Sequence, residues 1–299
     1  MSKAHLEPAI AQRLCDLLGL DVTGAIIEPL SGGLSNRSFR LSHGSHGWAV
    51  RLPFNSEEQR FETLDPASEQ GVLVAVAQAS LTPDFVLYDP GTGALVTRYL
   101  ERAVPWTAAQ ARLPENLGRI AATLRSLHGL KVSPQLSPFR AVMLAERYME
   151  TARRSPPGEK PARLCSAEER RWGEELQRLA GVYEANFPPT ALCHHDLVAA
   201  NILDEGKLWL VDFEYALLAH PILDLASLAG LNDYDSAQQR QLVEEYFQAE
   251  PVPFRNEQLD EVIRLERLLS YFWAMSRWDS WPEPNDMSRF ADSLAAMLR

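Results

Sequence analysis

The stretch HHDLVAANILDEGKLWLVDFEYA, residues 194–216, carries the most specific pattern in this chain of 299 residues. It has the form His-x-Asp-x4-Asn, followed by an apolar run, a polar turn, a second apolar run and Asp-Phe. The two apolar runs are separated by Asp-Glu-Gly-Lys, which predicts a short β-hairpin. An ordinary core strand needs neither Asp196 nor Asp212, because charged side chains are rarely buried without a partner. The stretch therefore indicates a chemical site built around a hairpin.

The residue types in this pattern suit one kind of chemistry. Mg²⁺ is a hard cation that prefers oxygen ligands. Phosphoryl transfer from a nucleotide also needs a carboxylate that orients the attacking hydroxyl and accepts its proton. Asp196 can supply this base, while Asn201 and Asp212 can supply an amide oxygen and a charged oxygen to the metal. The joint pattern is much more specific than a lone His-x-Asp or Asp-Phe, which is usually a turn or a cap.

The composition is that of a globular protein with an acidic balance. Hydrophobic residues make up 46% and charged residues 23% of the chain, as in ordinary globular domains. The net charge of -11 argues against non-specific binding to nucleic acid or to anionic membranes. Scattered cysteines without a CxxC motif predict a reducing compartment, and the chain has neither a signal-peptide pattern nor a long apolar run. We therefore expect a cytoplasmic protein without nucleic-acid or membrane partners.

The first part of the chain, residues 1–101, shows mainly strand patterns. It opens with an amphipathic helix in which Leu14, Leu17 and Leu18 are expected to share one face. The runs SFRL and WAVRL predict strands around a glycine-containing turn. DPASEQGVLVAVAQASL begins with a cap and a first-turn proline and predicts a helix, and FVLYDPGTGALVTRYLE predicts a β-hairpin.

From residue 102 onward the pattern becomes helical. A connection rich in proline and charge, residues 153–167, interrupts the helical patterns. We predict an α+β fold with two lobes, a small β-rich N-terminal lobe at 1–101 and a larger helical C-terminal lobe at 102–299. Apolar residues at helical spacing predict helices at 115–130, 141–152, 168–186 and within 222–299.

These features together resemble the aminoglycoside phosphotransferase and choline kinase family, small-molecule kinases with a protein-kinase-like fold. The resemblance extends over most of the chain. LSGGLSNRSFRL resembles the family's nucleotide loop, WAVRLPF its third strand, and DPASEQGVL its helix carrying a glutamate. LVTRYLE resembles the linker between lobes, ATLRSLHGL a C-lobe helix, and HPILDLASL the segment after the metal aspartate. The segment DFEYA resembles the corresponding segment of choline, ethanolamine and thiamine kinases more than that of aminoglycoside kinases.

The resemblance implies roles for single residues of the C-terminal lobe. Asp196 would be the catalytic base, and Asn201 and Asp212 would be ligands of the Mg²⁺ that accompanies ATP. His194 and Asp224 would support the catalytic loop, His194 by hydrogen bonding and Asp224 by tying the loop down.

His195 stands at a position that is often Gly or Asn in relatives. This departure leaves its role open, and a solvated side chain is the simplest expectation.

The N-terminal lobe shows a second departure. Kinases of this kind hold the α- and β-phosphates with a lysine that pairs with a helix glutamate, but no lysine lies between residues 4 and 130. The strand WAVRL offers Arg51 in that place, which keeps the charge and adds a planar fork for phosphate oxygens. Glu69 is its expected partner, with Glu62 as the competing candidate.

The remaining predicted ATP contacts come from the glycine loop and the linker. Two adjacent glycines let the backbone approach a phosphate closely. The linker contacts are implied by the resemblance. These predicted contacts are Ser31, Gly32, Gly33, Ser35, Asn36, Tyr99 and Leu100.

The phosphate acceptor is suggested by aromatic residues near the C-terminus, in LLSYFWAMSRWDSWPEPNDM. Aromatic faces beside carboxylates can hold a quaternary ammonium, which has no hydrogen to donate. Asp279 and Glu283 could add negative charge, whereas Tyr271 and Trp273 could equally well be core residues. The predicted acceptor-binding residues are Glu214, Tyr215, Trp278 and Trp281.

The sequence thus predicts an ATP-dependent kinase that phosphorylates the hydroxyl of a cationic amino alcohol, with choline first. Thiamine fits nearly as well, since it has a cationic ring and a primary alcohol. An aminoglycoside would need more carboxylates and less aromatic surface. A non-catalytic pseudokinase that binds nucleotide is the alternative of a different class, but such a scaffold needs none of Asp196, Asn201 and Asp212. The expected partners are ATP and a small cationic alcohol; the oligomeric state is not predicted.

Overall fold

The computed structural model describes residues 5–30, 36–53, 64–131, 136–154, 167–277 and 284–299, with the backbone alone at 284–286. The chain divides into two compact units. The predicted lobe boundary after residue 101 stays a prediction. The units are composed of Met1–Pro105 with Ala200–Glu214, and of Trp106–Ala199 with Tyr215–Arg299.

The first unit is built on a five-stranded antiparallel sheet. Its strands are β1 (Ile26–Pro29), β2 (Asn36–His43), β3 (His46–Pro53), β4 (Phe85–Asp89) and β5 (Ala94–Arg98). They lie in the order β1-β2-β3-β5-β4. The predicted strands SFRL and WAVRL and the hairpin of FVLYDPGTGALVTRYLE are confirmed. Val50 and Leu52 are buried in the core beneath the sheet, so Arg51 lies on the opposite face by strand alternation.

Helix α1 (Pro8–Leu18) packs against this core. Leu14 and Cys15 are buried, and Leu18 is partly buried against the same cluster. Leu17, however, is 49% exposed, so the prediction that it shares the buried face was wrong. The reason is geometric: positions i, i+1 and i+4 from Leu14 form the stripe that meets the sheet, and position i+3 falls at its solvent side.

Helix α2 (Pro66–Gln78) begins at the predicted cap. The side chain of Asp65 accepts hydrogen bonds from the backbone N–H groups of Ala67 and Ser68, each at 3.1 Å. Pro66 occupies the first helical position, where its missing N–H costs nothing. This start places Glu69 in the first turn of the helix.

A second, three-stranded sheet completes the first unit. It contains β6 (Val104–Pro105), β8 (Ile202–Asp204) and β9 (Leu208–Leu210), in the order β6-β8-β9. The predicted hairpin is confirmed, with Ile202 opposite Leu210. Because Val104 pairs with Asp204, residues 200–214 pack with the β-rich unit although they lie within the range predicted as the helical lobe.

The second unit is mainly helical and confirms the predicted helices in the described residues. Residues 155–166 of the predicted connection lie outside them. Helix α9 (Asn256–Ser276) lies at the centre of the unit. The helices that pack against it are α5 (Ala141–Arg154), α6 (Ala167–Asn186), α7 (Ile222–Leu231) and α10 (Pro284–Leu298). No helix in the described part of the chain is both long and apolar enough to cross a membrane. Its other elements include α3 (Ala108–Ala111), α4 (Pro114–His128), β7 (Ala191–Cys193), β10 (Leu217–Ala219) and α8 (Ser236–Phe247).

Candidate active site

A cavity of about 380 Å³ lies within the first unit. This volume is in the usual range for small-molecule sites. Its wall is largely apolar and includes Leu30, Ala49 and Leu203, together with polar and charged residues. Six of the predicted site residues line it together: Arg51, Glu69, Tyr99, Leu100, Asn201 and Asp212.

Arg51 is held between two carboxylates of this cavity. Its Nη2 donates to Oε1 of Glu69 and its Nη1 donates to Oδ1 of Asp212, each at 2.5 Å. The predicted pairing of Arg51 with Glu69 is therefore present, whereas the competing Glu62 lies outside the described residues. The cap of helix α2 determines the position of Glu69, and Asp212 follows the end of the β8–β9 hairpin.

The electrostatics of this group follow from its burial. Burial opposes the charge of Arg51, but Glu69 and Asp212 outweigh it and raise the pKa of the guanidinium above its ordinary value. Burial also raises the pKa of Glu69, partly offset by Arg51. Arg51 is thus a permanent, fixed cation with a planar set of donors, which suits phosphate oxygens.

The two predicted metal ligands lie at the two ends of the hairpin. The backbone N–H of Val211 donates to the carbonyl oxygen of Asn201 at 3.0 Å. Asp212 has φ +68°, a left-handed conformation that is uncommon for a residue other than glycine and clusters at functional sites. Asn201 and Asp212 both line the cavity, and an amide oxygen together with a carboxylate is a donor set that fits a hard cation such as Mg²⁺.

Glu214 and Asn36 meet in a buried hydrogen bond. Nδ2 of Asn36 donates to Oε1 of Glu214 at 3.0 Å, and both residues are buried. Burial, and then the charge of Asp212, raise the pKa of Glu214 to about 8. Asn36 was assigned to ATP and Glu214 to the acceptor from the sequence, and both assignments stay predictions.

In the second unit, Asp224 anchors the segment that carries Asp196. Its carboxylate accepts hydrogen bonds from the backbone N–H groups of His194 and His195, at 2.8 Å and 2.9 Å. Burial opposes its charge, but His128, with Nε2 at 3.0 Å, and these N–H donors hold the pKa of Asp224 below its usual value. The predicted role of Asp224 in tying down the loop therefore has its contacts.

Further hydrogen bonds fix the same loop on both sides of Asp196. The backbone N–H of Asp196 donates to Nδ1 of His194 at 3.2 Å, and the supporting role of His194 stays a prediction. The N–H of Leu197 donates to Oγ of Ser227 at 3.2 Å. The side chain of Asn232 accepts from the N–H of Ala199 at 2.9 Å and donates to the carbonyl of Leu197 at 2.8 Å.

Three of these loop anchors were missed by the sequence analysis: His128, Ser227 and Asn232. Ser227 follows Asp224 by one helical turn, so HPILDLASL contained a signal for it in its i, i+3 spacing. His128 ends the helix of ATLRSLHGL, where nothing local points to Asp224. Asn232 stands at the C-cap of α7, and its spacing to the loop gives no sequence signal.

His195 corrects another expectation. Its side chain is only 11% exposed, so the expectation that it is solvated was wrong. Its Nε2 lies 3.4 Å from Oε1 of Glu266, and its ring lies edge-on to Phe139 at 4.7 Å between centroids. The buried partners come from distant parts of the chain, which a local pattern cannot show.

Only some of the predicted acceptor-binding residues belong to the part of the chain that the structure describes. Tyr215 is partly buried at the start of its segment of the second unit. Tyr271 is fully buried, lies edge-on to Trp172 and donates to Glu169, so it belongs to the helical core. Outside the described residues lie Ser31, Gly32, Gly33 and Ser35 of the nucleotide loop, and Trp278, Asp279, Trp281 and Glu283 of the acceptor region.

A small antiparallel β unit and a larger helical unit, with these residues in them, define a protein-kinase-like fold. Residues 26–259 match the sequence model of the phosphotransferase enzyme family, and the chain belongs to that family. This confirms the family that the sequence features resemble.

The individual proteins that this chain is similar to include choline and choline/ethanolamine kinases. The human choline/ethanolamine kinase is 28% identical over 207 residues, which cover 64% of this chain and 50% of that protein. The chain thus spans about half the length of the curated relatives it matches. A choline/ethanolamine kinase family protein from Mesorhizobium loti has a TM-score of 0.76 at 24% identity, covering 97% of this chain and 92% of that chain. Choline kinase LicA from Streptococcus pneumoniae has a TM-score of 0.74 at 18% identity, covering 96% and 98%.

Proposed function

We propose that this chain is an ATP-dependent small-molecule kinase that phosphorylates the hydroxyl of a cationic amino alcohol, with choline as the first candidate. The observation that carries the proposal is the cavity of the first unit, where Arg51, Glu69, Asn201 and Asp212 line one space. A fixed cation, two oxygen donors for a metal and an apolar wall are the parts that binding of a metal nucleotide requires.

Each nucleotide-binding role follows from a contact or a donor type. The guanidinium of Arg51, fixed by its two carboxylate partners, would hold phosphate oxygens. Asn201 and Asp212 would hold Mg²⁺, and the apolar wall with the linker residues Tyr99 and Leu100 would take the adenine. When bound, Mg²⁺ supplies charge neutralisation to the transferring phosphoryl group.

Asp196 would orient the acceptor hydroxyl and accept its proton. A positioned base of this kind contributes about 10²–10⁴-fold to a reaction rate. The loop around it is fixed by Asp224 and Ser227, so little reorganisation of its backbone is needed when an acceptor binds. Asp196 also stands in the chain spacing His-x-Asp-x4-Asn that links it to Asn201.

The choice of acceptor rests on the relatives and on the aromatic residues. The curated relatives carry the name choline/ethanolamine kinase, and Tyr215 follows the predicted metal ligand Asp212 closely in sequence. A quaternary ammonium is attracted by ring faces and carboxylates. Thiamine is the second candidate because it shares a cationic group and a primary alcohol. A cytoplasmic location and the lack of nucleic-acid or membrane partners stay predictions from composition.

The test is an ADP-release assay with Mg²⁺-ATP and one acceptor at a time: choline, ethanolamine, thiamine, kanamycin or none. The phosphorylated product is identified by mass spectrometry, and Asp196→Asn is the matched inactive control. We expect choline to stimulate ADP release most. A rate that no acceptor raises above the control, with ATP binding intact by calorimetry, would contradict the kinase proposal and support the pseudokinase alternative.

A further inference from the structure

Glu266 is a buried carboxylate in the middle of helix α9. Its side chain is 4% exposed, and its Oε1 has no hydrogen-bond partner among the described residues. An ionised carboxylate in such a place is unfavourable unless a nearby cation neutralises it. The group that faces Oε1 is Nε2 of His195, at 3.4 Å. The geometry is therefore that of an ion pair inside the helical unit.

His195 has an unusual backbone. Its φ is +63°, in the left-handed region that glycine and asparagine adopt readily and histidine does not. Such a conformation persists only when contacts hold it. Three contacts do so here: its N–H to Asp224 at 2.9 Å, its ring against Phe139 and its Nε2 beside Glu266.

Asp196 follows His195 directly in the chain. The dihedral angles of His195 set the direction in which the chain leaves it, and hence the place of Asp196. We propose that Glu266 and His195 form a buried ion pair that positions Asp196, with Glu266 acting through His195 and touching no substrate itself. The inference rests on the proposed function, because Asp196 is a catalytic base only if the chain is a kinase.

The charged surroundings favour the imidazolium form of His195. Burial opposes its charge, but Glu266 on α9, Asp224 on α7 and Asp196 in the loop outweigh burial and raise the pKa of the ring above its ordinary value. Phe139 contributes an uncharged ring.

Two further titratable groups lie in the same part of the unit. Burial raises the pKa of the Tyr183 hydroxyl on α6 and of the Cys193 thiol on β7, so both stay neutral at physiological pH. The charge of the ion pair is therefore controlled by His195, whose pKa is raised. The pair is complete below the ordinary histidine pKa and is lost as the pH rises through the raised pKa of His195.

The test compares Glu266→Gln, His195→Asn and the double variant. Glu261→Gln is the matched control, because Glu261 lies on the same helix with its side chain 41% exposed. Buried paired groups couple strongly, and small misplacements of a catalytic group are costly, so each single variant should lower kcat about tenfold. The KM for ATP should stay close to that of the wild type. The double variant should be no worse than either single one, and Glu266→Asp should recover part of the loss.

Two readouts separate positioning from loss of folded protein. The alkaline fall of kcat should move to lower pH in Glu266→Gln, and so should the NMR titration of the His195 ring, which needs no turnover. Thermal melts establish that each variant is folded. Should Glu266→Gln fail to fold, His195→Asn carries the test, since asparagine tolerates the left-handed backbone.

The outcomes distinguish this inference from the proposed function. Wild-type kcat in a folded Glu266→Gln variant, with the His195 titration unmoved, overturns the positioning role and leaves the kinase proposal intact. A wild-type protein that phosphorylates no acceptor overturns both, whatever the titration shows. A tenfold loss in both single variants without further loss in the double variant supports the pair.

Discussion

Removal of the Arg51 guanidinium is the most direct perturbation of the cavity in the first unit. Arg51→Ala deletes both contacts at 2.5 Å and leaves the carboxylates of Glu69 and Asp212 without their shared cation. The side chain of Arg51 is only 17% exposed, so the variant breaks a buried ion pair. Removing one partner of such a pair typically lowers the free energy of unfolding by about 3–5 kcal/mol. We expect a value near the lower end, about 3 kcal/mol, because Glu69, whose pKa is already raised by burial, can take up a proton.

The same variant should change the ATP kinetics. The phosphates would lose both a charge and a fixed fork of donors, so the KM for ATP should rise and kcat should fall. Arg51→Lys restores the charge without the planar fork and should recover part of both. The measurement is an ADP-release assay over a range of ATP concentrations with saturating acceptor, together with a thermal melt of each variant.

Arg13→Ala is the matched control within the same unit. Nε and Nη2 of Arg13 donate to the carboxylate of Asp89, each at 2.6 Å, and neither residue lines the cavity. This variant should lower the melting temperature and leave the KM for ATP unchanged. If Arg51→Ala behaves in the same way, with normal ATP kinetics, then Arg51 only holds the fold and the nucleotide assignment of the cavity is wrong.

Three other predictions follow from the remaining site residues. Asp196→Asn should bind ATP normally by calorimetry and lose about 10²–10⁴-fold in kcat; near-normal turnover would contradict its role as base. Glu214, whose pKa burial raises to about 8, keeps its proton in the folded state, so its contribution to stability is complete below the usual glutamate pKa and is lost as the pH rises through about 8. Glu214→Gln should therefore flatten the fall in melting temperature between mildly acidic and alkaline pH, and an unchanged slope would refute the assignment. Tyr215→Ala should weaken choline binding from a few-fold to about thirty-fold with unchanged ATP kinetics; normal choline affinity would exclude a cation–π contact there.

Features that depend on neighbours along the chain could be predicted from the amino-acid sequence. Short-range patterns predict the cap at Asp65 and the hairpin between Asn201 and Asp212. Strand alternation likewise predicts that Arg51 points away from the core. The lack of lysine in the first part of the chain also singled out Arg51 before any contact was known. Local spacing is sufficient here because helices and strands repeat over a few residues.

The partners of the buried polar groups, in contrast, depend on contacts between distant parts of the chain. The hydrogen bond between Asn36 and Glu214 joins residues 178 positions apart, and the sequence analysis assigned the two to different ligands. The sequence analysis did not single out Glu266, which packing places beside His195. A charge that the fold buries must be compensated by a partner within a few ångströms. The packing of helices and sheets determines which distant side chain becomes that partner, and a local sequence pattern contains no information on this packing.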